Sequence, residues 1–221
     1  MRQLINLHAR LSLLPLSYIV QGTSQRLAPA EAQVRDLRQR INKMTMSRKY
    51  KFHNPEGLYF VTLTVRKWVD VFTRNEYKNI LIENLCYCQK NRGLDIFAYC
   101  IMTNHAHLIV SAKEGYNLSD IIRDFKKFTS RTILNKIRDN SQESRREWIL
   151  KEFRTDKGYS LWQTESRPIE LWSNKVIEQK IDYIHYNPVE EGFVFNPEDY
   201  MYSSAYDYAG GKGMLDIEVI G

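Results

Sequence analysis

The chain has 221 residues, 43% of them hydrophobic and 26% charged, which is typical of a single globular domain with a real core. No segment approaches the roughly 20 apolar residues that a membrane-spanning helix needs, so a membrane protein is not expected. The net charge is +6, but residues 1–45 carry seven basic and two acidic side chains, and bulk charge therefore says little about what the remaining residues bind.

The first 45 residues differ from the rest of the chain. They combine a short apolar run with the basic segment "VRDLRQRINK" and show no strand alternation. Met44 and Met46 follow, and a regular pattern begins after them. We therefore predict a leader over residues 1–45, which is either disordered or precedes a natural start at Met46, and one domain over residues 46–221.

Hydrophobic spacing in the rest of the chain predicts alternating strands and helices. Strands are predicted at residues 57–69, 94–104 and 105–112, with a strand-like segment at 159–172, and helices at 75–93, 118–140, 144–153 and 174–192, the last ending near Pro188. This order predicts an α+β fold in which helices pack on one face of an antiparallel sheet. The tail from residue 190 onward holds seven acidic residues and one lysine, and we expect it to be solvated.

Two histidines stand one residue apart at the start of the predicted strand 105–112. Alternate residues of a strand share a face, so His105 and His107 project side by side, as two ligands of one cation require. A half-buried strand that tolerates imidazoles remains an alternative. A histidine-triad nucleotide hydrolase is excluded, because Ile109 occupies the position of the third histidine.

The predicted helix 174–192 carries a matching pair. Tyr183 and Asn187 are four residues apart and therefore lie on one helical face. Asn187 offers a carbonyl oxygen to a hard cation, and Tyr183 offers a phenol that becomes a useful nucleophile beside a metal ion. His185 lies on another side of the helix, where packing or hydrogen bonding is expected. The residues alone leave a structural role and a metal site equally open.

The segment "MTNHAHLIV", followed downstream by "IDYIHYNPVEEGFV", closely resembles the REP-associated tyrosine transposases. These belong to the single-tyrosine HUH transposases of the insertion-sequence-200-like superfamily, in which HUH denotes His, a hydrophobic residue and His. The resemblance covers about residues 47–208 and includes "GLYFVTLTV", "FTRNEY", "WQTESRPIEL" and "YMYSSAYDY". The leader has no counterpart in the family pattern, and "WQTESRPIEL" lacks the aromatic-rich form of many relatives.

The resemblance implies a ferredoxin-like fold and makes residues 46–221 a transposase catalytic domain that cleaves and rejoins single-stranded DNA. It implies that Tyr183 is the nucleophile, which forms a 5′-phosphotyrosine intermediate. It also implies that His105, His107 and Asn187 bind a divalent metal, Mg²⁺ or Mn²⁺. The expected partner is single-stranded or hairpin DNA, and a homodimer in which Tyr183 comes from a neighbouring subunit is left open.

Two other functions stay open from the sequence. One is a domesticated protein that binds repeat DNA without cutting it, and the other is a metal-dependent hydrolase in which Tyr183 only donates a hydrogen bond. The odd number of cysteines is a poor disulfide framework, and Cys86, Cys88 and Cys100 are interpreted as small core residues. The expected location is therefore the cytoplasm of a bacterial-type cell, at the nucleoid when DNA is bound.

The predicted helix 118–140 carries six basic and three acidic residues, a local excess that favours contact with DNA phosphates. The predicted DNA-binding residues are Arg123, Lys126, Lys127, Arg131 and, for stacking on unpaired bases, Trp162. A solvated helix face is the alternative for the basic residues, and a place in the core is the alternative for Trp162.

Overall fold

The computed structural model describes residues 52, 54–164, 166 and 168–220, so the predicted leader, residues 1–45, lies outside the described residues. The strands are β1 (Tyr59–Thr64), β2 (Leu94–Ile101), β3 (His105–Ala112), β4 (Arg154–Thr155), β5 (Gly158–Tyr159) and β6 (Ile169–Glu170). The helices are α1 (Asn75–Asn91), α2 (Leu118–Asp139), α3 (Arg146–Phe153), α4 (Asn174–Glu190) and α5 (Ala205–Tyr208), with 3-10 turns at Arg66–Trp68 and Pro197–Asp199. None of the described helices combines the length and apolar character needed to cross a membrane.

The main sheet has the strand order β2-β3-β1-β6 and is antiparallel throughout. With α1 between β1 and β2, and α2 between β3 and β6, this is the ferredoxin-like arrangement that was predicted, and the fold class is confirmed. The central pair β1 and β3 fixes the register that matters for the site, because Thr62 lies opposite His107 and Thr64 lies opposite His105.

Residues of β1 alternate between the two faces of the sheet. Val61 and Leu63 are fully buried, whereas Thr62 and Thr64 lie on the other face and are partly exposed. The predicted layer of helices is present, since α1 packs against α2 and against β2. Helix α4 packs against β2 and β3, and its Tyr183 contacts His107, so α4 covers the face that carries the imidazoles.

Local signals explain where α2 and α4 begin. Asn117 precedes α2, and its side-chain oxygen accepts hydrogen bonds from the backbone N–H groups of Ser119 and Asp120. Ser173 caps α4 in the same way. The predicted end of α4 near Pro188 is early, because the helix continues to Glu190. A proline in the last turn removes only its own N–H bond, so the turn can still close.

The acidic tail is packed, and the expectation that it is solvated was wrong. Tyr200, Tyr202 and Leu215 are buried. The N–H of Ile101 donates to the carbonyl oxygen of Tyr202, so the tail hydrogen-bonds along the outer edge of β2. The expectation rested on the net charge of the segment, which reflects its exposed acidic residues. Its aromatic residues are buried instead, and they cover a strand edge that would otherwise be open.

Candidate active site and DNA-binding groove

The two imidazoles lie side by side at the start of β3. Their ring centroids are 4.6 Å apart with an interplanar angle of 71°. His107 is buried, with 4% of its surface exposed, and His105 is half-buried. Phe60 of β1 stacks on the His107 ring at 5.4 Å. The structure therefore gives both side chains fixed positions on the face that α4 covers.

Hydrogen bonds fix the orientation of each ring. The Nδ1 atom of His107 is 3.0 Å from the hydroxyl of Thr62, and the Nδ1 atom of His105 is 2.8 Å from the side-chain oxygen of Asn104. The amide of Asn104 in turn donates to the carboxylate of Asp70 at 2.8 Å. Because a neighbouring side chain occupies each Nδ1 atom, the Nε2 atoms are left as the possible metal ligands. Metal-binding histidines usually have such a hydrogen bond on the ring nitrogen that does not bind the metal.

The environment keeps both imidazoles neutral. Burial, the neighbouring His105 and the Lys180 ammonium together lower the pKa of His107 to about 3. Burial also lowers the pKa of His105, opposed by the carboxylate of Glu191 and by the side chain of Asn187. A neutral imidazole keeps the lone pair that metal coordination requires, so both rings are available as ligands at neutral pH.

Tyr183 of α4 lies against His107. Its hydroxyl oxygen is 3.5 Å from the Nε2 atom of His107, and the two ring centroids are 5.1 Å apart. The ring is 42% exposed, so a substrate can reach it. Burial and the carboxylates of Glu190 and Glu191 raise the pKa of the phenol, which is therefore protonated at neutral pH. The Lys180 ammonium lies 5.3 Å from the centre of the Tyr183 ring and supplies a positive charge beside it.

Asn187 completes the group from the next turn of α4. Its side-chain oxygen is buried and has no hydrogen-bond donor among the described residues, although the side chain is close enough to raise the pKa of His105. A buried carbonyl oxygen without a donor is unfavourable in the metal-free protein and suits a hard cation. Two imidazole nitrogens and one amide oxygen therefore fit a divalent metal that keeps open coordination positions. The described part of the chain has no group of three or more His, Cys, Asp or Glu residues that could hold a metal ion, so this candidate set depends on the amide oxygen of Asn187 as its third ligand.

His185 has the packing role that was predicted. It is buried, and its Nε2 atom lies 2.9 Å from the hydroxyl of Ser204. Burial lowers its pKa to about 4. It faces the tail rather than the imidazole pair, and its ring packs against Tyr208 at 4.9 Å.

A groove of about 1040 Å³ runs along α2 and beside residues 159–164, 166 and 168. The predicted basic residues line it, but they are not equivalent. Lys127 and Arg131 are exposed and form no ion pair with another described residue. Arg123 is ion-paired with Asp120 and Asp124, so its charge is partly neutralised within its own helix.

Two of the predicted DNA contacts are structural. The ammonium of Lys126 donates to the carbonyl oxygen of Gln163 at 2.7 Å and to the hydroxyl of Ser166 at 3.1 Å, so it holds the groove wall together. Trp162 is 2% exposed, and its indole N–H donates to the hydroxyl of Thr129. The prediction that Trp162 stacks on unpaired bases is therefore wrong, because a buried indole offers no free face.

Comparison with known proteins identifies a family for this chain and a relative within it. The family described as "Transposase IS200 like" matches residues 57–180, more than half of the chain. The chain belongs to this family. The IS200-like chain is 23% identical, over 173 residues, to the REP-associated tyrosine transposase of Escherichia coli (strain K12), and the match covers 77% of this chain and 90% of that protein. The predicted resemblance to this group is confirmed.

A solved structure shares the fold of this IS200-like chain. It is that of a REP-associated tyrosine transposase bound to a REP hairpin, with a TM-score of 0.57 and 20% sequence identity. The match covers 80% of this chain and 94% of the solved chain. The likeness supports the ferredoxin-like architecture of the IS200-like domain.

Sequence reasoning missed the residues that support the imidazoles. Thr62 could be found only from the register between β1 and β3, which is a tertiary feature. Asn104 directly precedes His105, and its position next to the pair was a visible but unused signal. Lys180 stands three residues before Tyr183, and its helical spacing alone would have placed it on the same face of this IS200-like protein's α4.

Proposed function

We propose that the chain cleaves and rejoins single-stranded DNA by transesterification, with Tyr183 as the nucleophile and a 5′-phosphotyrosine as the intermediate. The observation that carries this proposal is the contact between the Tyr183 hydroxyl and the Nε2 atom of His107, with the unpaired oxygen of Asn187 one helical turn away. Membership of the IS200-like family supports the reaction class.

The residues that would hold a divalent metal are His105 and His107, through their Nε2 atoms, and Asn187, through its side-chain oxygen. When bound, Mg²⁺ or Mn²⁺ would polarise the scissile phosphate and neutralise part of its charge. The side chains of Asn104 and Thr62 would keep both imidazoles oriented for this purpose.

The chain's own residues account for the covalent step. The phenol oxygen of Tyr183 attacks phosphorus and forms the P–O bond to tyrosine. The P–O3′ bond breaks, and the proton lost by the phenol balances the proton gained by the departing 3′ oxygen. The Lys180 ammonium beside the ring favours the negative charge that develops on the phenol and on the phosphate oxygens. The reverse attack by a 3′-hydroxyl rejoins the strand without an external energy source.

Hairpin DNA is the substrate that we propose for the groove and the site together. The solved relative is a REP-associated tyrosine transposase bound to a REP hairpin. In this chain the N–H of Gln163, on the groove wall, donates to the carbonyl oxygen of Thr64, which lies opposite His105. The groove wall is therefore joined to β1 next to the imidazole pair, and the proposed path of the single strand runs from the exposed Lys127 and Arg131 toward these imidazoles.

The test is covalent trapping. A labelled hairpin with a single-stranded extension, incubated with Mg²⁺ or Mn²⁺, is expected to become attached to the wild-type protein and not to Tyr183→Phe. Tyr186→Phe is the matched control, because Tyr186 lies on the same helix, is 53% exposed and makes no contact with the imidazoles among the described ring contacts. An adduct that persists in Tyr183→Phe contradicts the proposal.

The same experiment separates the other two functions. A protein that binds repeat DNA without cutting would shift the hairpin in a gel and give no adduct with any variant. A hydrolase would release a free 5′-phosphate and would keep this activity in Tyr183→Phe. The intact set of His105, His107, Tyr183 and Asn187 favours the transposase reaction over both.

A further inference from the structure

Trp68 presents an open aromatic surface at the edge of the candidate active site. Its side chain belongs to the turn Arg66–Trp68, directly after β1, and is 58% exposed. The indole and the His105 imidazole have centroids 6.0 Å apart and planes inclined by 70°. An indole is a large apolar group, so exposing more than half of it at this position calls for an explanation.

The indole is held in this position by an unfavourable backbone conformation. Lys67 and Trp68 have φ angles of 55° and 57°, and they are the non-glycine residues with positive φ in the described part of the chain. Glycine adopts this conformation without steric conflict, whereas side chains with a Cβ do not. The turn is anchored on both sides, because the N–H of Trp68 donates to the carbonyl oxygen of Val65 at 3.1 Å and Lys67 is ion-paired with Glu152 at 2.6 Å.

We propose that Trp68 is a binding platform for one unpaired nucleobase of the single-stranded DNA, the base next to the phosphate held at His105, His107 and Tyr183. The inference rests on the proposed function. Every base has a flat aromatic face, so an exposed indole stacks on it whatever the sequence, while the phosphate is held separately at the imidazole pair. The 6.0 Å between the Trp68 and His105 rings puts the platform within reach of the adjoining nucleotide.

Other exposed aromatic residues lack this combination. Trp172 and Phe195 are 81% and 96% exposed, but neither has a ring contact with the imidazoles or with Tyr183 among the described residues. Trp162, the stacking residue predicted from the sequence, is buried. Trp68 combines exposure, a fixed position and contact with a residue of the site.

The test is an equilibrium binding measurement on the full chain carrying Tyr183→Phe, so that the DNA stays uncut. The probes are a labelled hairpin with a single-stranded extension and the same hairpin without it. Adding Trp68→Ala is expected to weaken binding of the extended hairpin by roughly 5- to 100-fold and to leave the plain hairpin unchanged. Phe128→Ala is the control, because Phe128 is 55% exposed on α2 and is expected to change neither affinity.

A scan with abasic sites makes the assignment specific. With Trp68 present, removal of one particular base of the extension is expected to weaken binding about as much as Trp68→Ala does. In the Trp68→Ala protein the same abasic site is expected to cost nothing more, as a thermodynamic cycle requires for two groups that contact each other. Trp68→Tyr keeps a flat ring and is expected to restore most of the affinity, so a change in the turn is distinguished from loss of stacking.

Three results would overturn the inference: unchanged affinity of Trp68→Ala for the extended hairpin, an equal loss for the plain hairpin, or an equal loss with every abasic probe. The covalent reaction is scored separately with Tyr183 restored. If the covalent adduct forms but Trp68→Ala does not change binding, the role of Trp68 is rejected and the proposed reaction stands. If binding of the extended hairpin depends on Trp68 but no adduct forms, the role of Tyr183 as nucleophile is rejected and the role of Trp68 stands.

Discussion

At the scale of single residues, Asn187 holds its side-chain oxygen in an unfavourable state. The oxygen is buried and has no hydrogen-bond partner of normal geometry among the described residues, although the side chain lies close enough to His105 to raise the pKa of that imidazole. A buried acceptor without a donor costs about 1–3 kcal/mol of folding free energy. Such a cost is understandable where the oxygen is a ligand, because metal binding offsets it.

Asn187→Leu is therefore expected to have opposite effects on two measured quantities. Mn²⁺ affinity should fall by at least about 10-fold, since one ligand is removed. The free energy of unfolding of the metal-free protein should rise, or at least not fall, because the buried unpaired oxygen is removed and the volume is kept. Isothermal titration with Mn²⁺ and urea denaturation in a chelator measure the two quantities.

Asn84 provides the matched control. Its side-chain oxygen is also buried without a donor among the described residues, but it lines the cavity between α1 and α2. Asn84→Leu should change the stability of the metal-free protein in the same direction and leave Mn²⁺ affinity unchanged. Equal Mn²⁺ binding by Asn187→Leu and the wild type would remove Asn187 from the ligand set.

At the scale of elements, the position of Tyr183 depends on how α4 is fastened to its neighbours. His185, on the opposite side of the helix, is 2.9 Å from the hydroxyl of Ser204, and that hydroxyl accepts a hydrogen bond from the N–H of Tyr99 in β2. One serine therefore joins α4, the tail and the outer strand. This junction is one of the contacts that hold α4, and with it Tyr183, against the sheet.

The junction should make stability depend on pH. The unfolded chain protonates His185 near its ordinary pKa of 6.5, whereas the folded protein does so only near 4. The unfolded state thus binds more protons in this window, so this contribution is complete above pH 6.5 and is lost as the pH falls toward 4. His185→Gln is expected to reduce the loss of unfolding free energy between pH 7 and 4 by about 3 kcal/mol. Urea denaturation at several pH values tests this, and an unchanged pH dependence would contradict it.

At the scale of the whole molecule, charge is distributed unevenly around the described domain. The groove along α2 exposes Lys127 and Arg131, whereas Lys126 is held by the backbone of Gln163 and Arg123 is paired with acids. The basic residues of one helix therefore divide into some that build the groove wall and some that can contact phosphates. Only the second kind should contribute counterion release when DNA binds.

Lys127→Glu combined with Arg131→Glu is expected to weaken hairpin binding. The variant should also make the negative slope of log affinity against log salt shallower by about 2, roughly one for each phosphate that it no longer neutralises. Fluorescence anisotropy at several salt concentrations measures the slope. Lys90→Glu with Lys212→Glu changes the net charge equally at exposed positions outside the groove, and it should leave the slope nearly unchanged. An equal effect of both pairs would show that only net charge matters.

Local patterns in the chain were enough to predict most of the elements and the two pairs of residues that form the candidate site. Strand and helix periods placed β2, β3, α1, α2 and α4 close to their observed bounds, because those periods are local properties of the chain. The same periods predicted that His105 and His107 share one strand face and that Tyr183 and Asn187 share one helix face. Family resemblance then identified these two faces as partners.

The contacts that each side chain makes across the fold could be read from the three-dimensional arrangement alone. Trp162 and the tail tyrosines are buried because distant segments cover them, and Lys126 is a structural residue because the loop at Gln163 reaches it. Trp68 is exposed because a strained turn holds it out beside His105. Exposure and hydrogen bonding depend on residues far away in the chain, and no local pattern of polarity or charge encodes them.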